Sequence, residues 1–97
     1  MATYVVLLKF TEHGVKDIKD SRKRAAELKA HAKKHGIEVK EQFWCMGAYD
    51  GLLIFDAADD ETATAAMLSL SMRGNVTTQT LRSFRETEID KILGKLT

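Results

Sequence analysis

Residues Thr3-Tyr4-Val5-Val6-Leu7-Leu8-Lys9-Phe10 form an apolar run with two hydrophobic faces. Side chains alternate across an extended strand. Val5 and Leu7 therefore share one face, and Tyr4, Val6, Leu8 and Phe10 share the other. A strand of this kind is a central strand covered on both sides. The rest of the chain has to supply two covers for it, or a second molecule does.

The first cover is legible downstream. Thr11 to Asp20, with Gly14 and mixed charges, reads as a loop with room for a short helical turn. Asp20 or Ser21 caps a helix running to about His35, and Gly36 stops it. Its apolar stripe is thin (Ala25, Leu28, Ala32) and the remainder is mostly basic. Ile37 to Met46 reads as a second strand, with Ile37, Val39, Phe43 and Cys45 on one face and Glu38, Lys40, Gln42, Trp44 and Met46 on the other. Gly47-Ala48-Tyr49-Asp50-Gly51 is a turn-rich connector into a short buried strand, Leu52 to Phe55, which makes an antiparallel hairpin. Asp59 or Asp60 starts a helix carrying Ala63, Ala66, Met67 and Leu70 at helical spacing, and Arg73-Gly74-Asn75 ends it. Val76 to Phe84 is a Thr-rich fourth strand. Glu86 to Leu96 closes the chain as an extra amphipathic helix through Ile89, Ile92, Leu93 and Leu96.

The order β-α-β-β-α-β predicts an α+β fold, one domain over residues 1–97, with both internal helices on one face of an antiparallel sheet. The opposite face has no cover. An exposed apolar sheet face exceeds the roughly few hundred Å² of contiguous apolar surface that a soluble monomer tolerates. A second copy packing sheet against sheet about a two-fold axis is the economical answer. The chain is expected to be a homodimer or a higher homo-oligomer.

Composition narrows the function classes. The formal net charge is +1 (15 Lys+Arg against 14 Asp+Glu), so no global field steers the chain to nucleic acid or an anionic membrane. The basic stretch Arg22 to Lys34 lacks interleaved aromatics and reads as a solvated helix face. Cys45 is the only cysteine, which excludes an internal disulfide. Met1-Ala2-Thr3-Tyr4 has no basic targeting pattern, and the run Tyr4 to Leu8 is too short to span a bilayer. A cytoplasmic location is expected.

Three segments carry a resemblance. Thr11-Glu12-His13-Gly14-Val15 with Lys19-Asp20-Ser21, then Gly47-Ala48-Tyr49-Asp50, then Gly74-Asn75-Val76-Thr77-Thr78-Gln79-Thr80-Leu81, together resemble the GYD domain family over nearly the whole chain. Ala48 separates Gly47 from Tyr49 where the family's name has Gly-Tyr-Asp. The resemblance implies a ferredoxin-like sheet and a dimeric α+β barrel. It carries no catalytic assignment onto these positions.

Several side chains are candidates for chemistry. Tyr49 offers a phenol and Asp50 a carboxylate at the mouth of a sheet cavity. The alternative is a turn in which Tyr49 packs at the rim and Asp50 bonds turn amides. His13, just after the first strand, is a candidate base, or an exposed loop histidine. His31 and His35 have two-ligand helical spacing, but neighbouring lysines repel a cation and no third ligand completes a set, so no metal is expected. If Phe43 and Cys45 face the helices, Trp44 and Met46 face a partner sheet or a ligand cavity. Thr78 and Thr80 would be polar groups in that cavity. Cys45, read as a buried thiol with no histidine beside it in sequence, is not expected to be a nucleophile.

No phosphate loop, nucleophile triad or cofactor motif is present in the sequence. The reading is a binding or regulatory module that holds a small apolar or aromatic molecule in a cavity and uses no cofactor. The alternative is a cofactor-free enzyme, monooxygenase- or isomerase-like, using His13, Tyr49 and Asp50. That alternative rests on superfamily analogy.

Overall fold

The two-faced first strand lies inside the sheet. A computed structural model describes residues Met1–Thr97. Its elements are β1 (Ala2–Phe10), α1 (Glu12–Lys16) with a 3-10 turn at Ile18–Asp20, α2 (Ser21–Lys34), β2 (Glu38–Trp44), β3 (Gly51–Ala57), α3 (Asp60–Met72), β4 (Val76–Ser83) and α4 (Glu86–Leu93). The sheet order is β2-β3-β1-β4, and every pairing is antiparallel. This is the ferredoxin-like α+β arrangement expected from the order of elements, with α4 added at the end.

The helix boundaries follow from local chemistry. Gly36 ends α2 because it takes φ +77°, a conformation glycine adopts at no steric cost. The Ile37 amide then donates back to the Ala32 carbonyl (3.0 Å), closing a Schellman-type cap. Asp59 starts α3 by accepting from the Thr62 amide at 2.8 Å, which satisfies one of the free first-turn donors. Its carboxyl lies below the usual range because of that hydrogen bonding at Thr62.

The core forms on the helix side of the sheet. Tyr4, Val6 and Leu8 of β1 meet Leu53, Phe55 and Ala57 of β3, with Ala32, Ile37, Ala63 and Met67 packed over them. Tyr4 stacks on Phe55 with centroids 5.2 Å apart, and its hydroxyl donates to Asp60 Oδ1 at 2.6 Å. Burial, reinforced by the Asp60 bond, pushes the Tyr4 hydroxyl up to about 12.

The other face of β1 is open. Val5, Leu7, Leu52 and Ile54 are half-buried, while Phe43 and Leu81 beside them are 51% and 43% exposed. One end of this face is polar. Asp56 accepts from the Thr3 hydroxyl (2.9 Å) and lies near Arg85 (3.6 Å) and Lys40 (3.9 Å).

Strand β2 departs from strict alternation. The register shifts between Val39 and Glu41, a β-bulge that moves every later side chain to the opposite face. Val39 pairs with Phe55 of the core face, whereas Phe43 pairs with Leu52 of the open face. Trp44 pairs with Gly51 and donates from its indole nitrogen to Ser21 of α2 (3.2 Å). The condition that would have turned Trp44 toward a partner sheet is thus reversed: Phe43 faces the open side and Trp44 the helices. Met46 lies past the strand and is 97% exposed. Cys45, expected to be buried, is exposed because β2 ends at Trp44.

Helix α4 stands away from the body of the fold. Leu93 is 54% exposed and Ile89 is also exposed, so the apolar stripe of α4 has little to pack on. The radius of gyration is 14.6 Å, against about 12.5 Å for a compact chain of this length. The extents of 51 × 31 × 19 Å express the same elongation. No helix is long and apolar enough to cross a membrane.

Candidate functional site

The three segments that carry the family resemblance meet at one end of the sheet. Thr11 caps α1 by accepting from the Gly14 amide (3.1 Å). Its own amide donates to the Asn75 carbonyl (3.0 Å), and its hydroxyl donates to the Gly74 carbonyl. Gly14 has to be glycine, because a Cβ there would collide with the Asn75 carbonyl oxygen. The turn after α3 thereby lies directly on α1.

Asp50 ties the β2–β3 connector to the same end. Its carboxylate Oδ2 accepts from the Phe10 amide (2.8 Å). Its amide donates to the Leu8 carbonyl and its carbonyl accepts from the Cys45 amide, both at 2.8 Å. Tyr49, one residue earlier, goes to the other side of the sheet. Its hydroxyl donates to Gln79 Oε1 (2.9 Å), and Gln79 pairs with Leu7 of the open face.

Above this end, on the helix side, lies a cavity of about 80 Å³. Leu8, Phe10 and Val76 form its apolar floor, with Leu28, Leu70 and Trp44 around it. The polar groups are Ser21, Arg24, Gln42, Asp50, Arg73 and Asn75. Helices α2 and α3 barely touch each other, so the cavity continues into a groove of about 450 Å³ that shares Leu28, Leu70 and Arg73. Neither Arg24 nor Arg73 has a carboxylate within salt-bridge distance. The Gln42 side-chain oxygen is buried with no hydrogen-bond partner.

The structure separates the candidates. His13 sits on α1 with its Nε2 3.7 Å from Asp17, both side chains solvent-exposed. Tyr49 points over the open face and Asp50 toward the helix side, so the three do not share a cavity. Among the pocket candidates only Trp44 lines the cavity. Thr78 and Thr80 pair with Leu8 and Val6 and lie on the helix side of the edge strand β4, where Thr80 is exposed. The His31 and His35 rings lie 4.6 Å apart along the wider groove.

Arg24, Gln42 and Arg73 were not among the sequence candidates. Arg73 reads in sequence only as part of a helix stop. Gln42 is a polar residue just ahead of Phe43-Trp44, a weak signal once the bulge hides its facing.

Comparison with known proteins agrees with the motifs. A family model described as the GYD domain matches residues 4–93. A glutamine synthetase and cystathionine beta-lyase binding protein from Thermus thermophilus is 32% identical over 84 residues, covering 86% of this chain and 88% of the relative. The chain belongs to the GYD domain family.

Proposed function

We propose that the chain is a self-associating binding module: its open sheet face docks a second copy, its helix-side cavity takes a small molecule, and the assembly engages other proteins. The observation that carries this reading is the uncovered apolar centre of the sheet. Val5, Leu7, Phe43, Leu52, Ile54 and Leu81 form a patch with a polar rim at Asp56, Arg85 and Lys40. An apolar centre bordered by charged groups at one end is consistent with the composition of a protein interface. A second copy matches it because a two-fold axis brings the same apolar centre against itself.

The Thermus relative is named for binding two proteins, and that name supports protein partners for this chain. The cofactor-free enzyme alternative loses the three residues on which it depended, since His13, Tyr49 and Asp50 diverge.

Light scattering at micromolar concentration tests the self-association. The expected mass is that of a dimer or a larger oligomer, reduced to the monomer by Leu81→Arg with an unchanged circular dichroism spectrum. A wild-type monomer overturns the reading.

A further inference from the structure

The cavity between α2, α3 and the ends of β1 and β2 brings three kinds of polar group around one apolar floor. Arg73 makes no ion pair or side-chain hydrogen bond. Arg24 uses one nitrogen on the Asp17 carbonyl (2.7 Å) and has no carboxylate partner. Asp50 commits Oδ2 to the Phe10 amide, which leaves Oδ1 as an acceptor. Gln42 holds a side-chain oxygen that is buried and unpaired.

An unsatisfied buried acceptor costs about 1–3 kcal/mol, and native folds keep such groups mainly where something else completes them. Guanidinium groups bind carboxylates in a planar, bidentate fashion. A carboxylate and an amide oxygen accept from an ammonium group. Leu8, Leu28 and Leu70 supply apolar contact.

From this arrangement we infer that the cavity binds a free α-amino acid with a short apolar side chain. The ligand carboxylate meets Arg24 and Arg73, its ammonium group meets Gln42 Oε1 and Asp50 Oδ1, and its side chain lies on the leucines. The cavity of about 80 Å³ opens into the groove of about 450 Å³, so the ligand's polar head sits among the cavity's polar groups while its side chain has room toward the groove. In the free protein the Gln42 oxygen is closed to solvent, and its turning into the cavity is part of this inference. The groove between α2 and α3 is the way in. The inference rests on the small-molecule part of the proposed function and is independent of the self-association.

The test uses the full chain with L-valine, isovalerate (no amine) and isobutylamine (no acid), followed by heteronuclear NMR and Trp44 fluorescence. L-valine is expected to shift the Trp44 indole and the Leu28 and Leu70 methyl signals, and each analogue to bind at least about tenfold more weakly, one lost charged hydrogen bond being worth that much. Arg73→Gln is expected to weaken L-valine by a similar factor. Gln42→Met separates a ligand contact from a structural one: it is expected to raise the melting temperature of the free protein and to weaken L-valine binding. Equal binding of isovalerate and L-valine overturns the amino-acid assignment while the pocket stands. Binding of L-valine that Gln42→Met and Arg73→Gln leave unchanged overturns it also. If none of the three compounds binds, the amino-acid assignment fails, while the small-molecule part of the proposed function is left to other ligand classes.

Discussion

At the scale of single residues, close approach and hydrogen bonding explain why particular side chains stand where they do. Gly14→Ala forces a methyl group against the Asn75 carbonyl oxygen, which is backbone and cannot swing away. The expected cost is about 1–3 kcal/mol, the usual penalty of overpacking, read as a lower denaturation midpoint at constant m-value. Asp50→Ala removes the acceptor of the Phe10 amide and is expected to cost about 1–3 kcal/mol. In the same urea titrations its effect should match that of a lost structural contact. Tyr4 gives a pH signature. Its hydroxyl is raised from 10.0 to about 12 by burial and by Asp60. Between those values the unfolded chain has released a proton that the folded chain still holds. The Tyr4 contribution is therefore complete below 10.0 and is lost as pH rises toward 12. Unfolding midpoints across that window should fall more steeply for the wild type than for Tyr4→Phe.

At the scale of elements, the chain separates what is braced from what is not. The sheet and its two internal helices share one core. Helix α4 is held by surface contacts: Glu88 accepts from the Arg85 amide (3.2 Å), which lowers its carboxyl, and Arg82 lies 3.4 Å away. Exposed pairs of this kind contribute little to stability. Removing residues 86–97 should therefore leave the denaturation midpoint nearly unchanged, while the far-ultraviolet signal loses one helix. A larger loss would mean that α4 packs on the sheet in solution. Element type was legible in the sequence because hydrophobic spacing and caps are local: Gly36 and Asp59 mark helix ends by their own backbone chemistry. The bulge in β2 was not legible. One inserted residue leaves the composition of the strand unchanged and reverses the facing of Phe43 and Trp44.

At the scale of the whole molecule, the sheet divides two kinds of surface. The helix side carries the core and the cavity. The open side carries an apolar centre with Phe43 and Leu81 exposed. The residue pair Tyr49-Asp50 straddles the boundary, with Tyr49 on the open side and Asp50 tied to β1. If the open face is buried between copies, stability is linked to association, and the melting temperature rises with protein concentration. A melting temperature constant over a hundredfold dilution series, measured by scanning calorimetry, would contradict that linkage. Leu81→Arg should abolish the concentration dependence while leaving the low-concentration value nearly unchanged.

The order and type of the elements, and the central place of the two-faced β1, were readable from the sequence alone. All of these follow from periodicities of two and 3.6 residues and from capping, which act over a few neighbours. Which side chains meet became visible only in three dimensions. The tertiary structure brought Thr11, Asp50 and Asn75, far apart in sequence, to one end of the sheet. It separated His13, Tyr49 and Asp50 and gathered Arg24, Gln42 and Arg73 around one cavity. Those positions depend on strand pairing, on one bulge and on a gap between two helices, and no local pattern of residue types encodes them. The two-sided strand is thus legible from its own eight residues, Thr3 to Phe10. The cavity exists only where four separate segments converge.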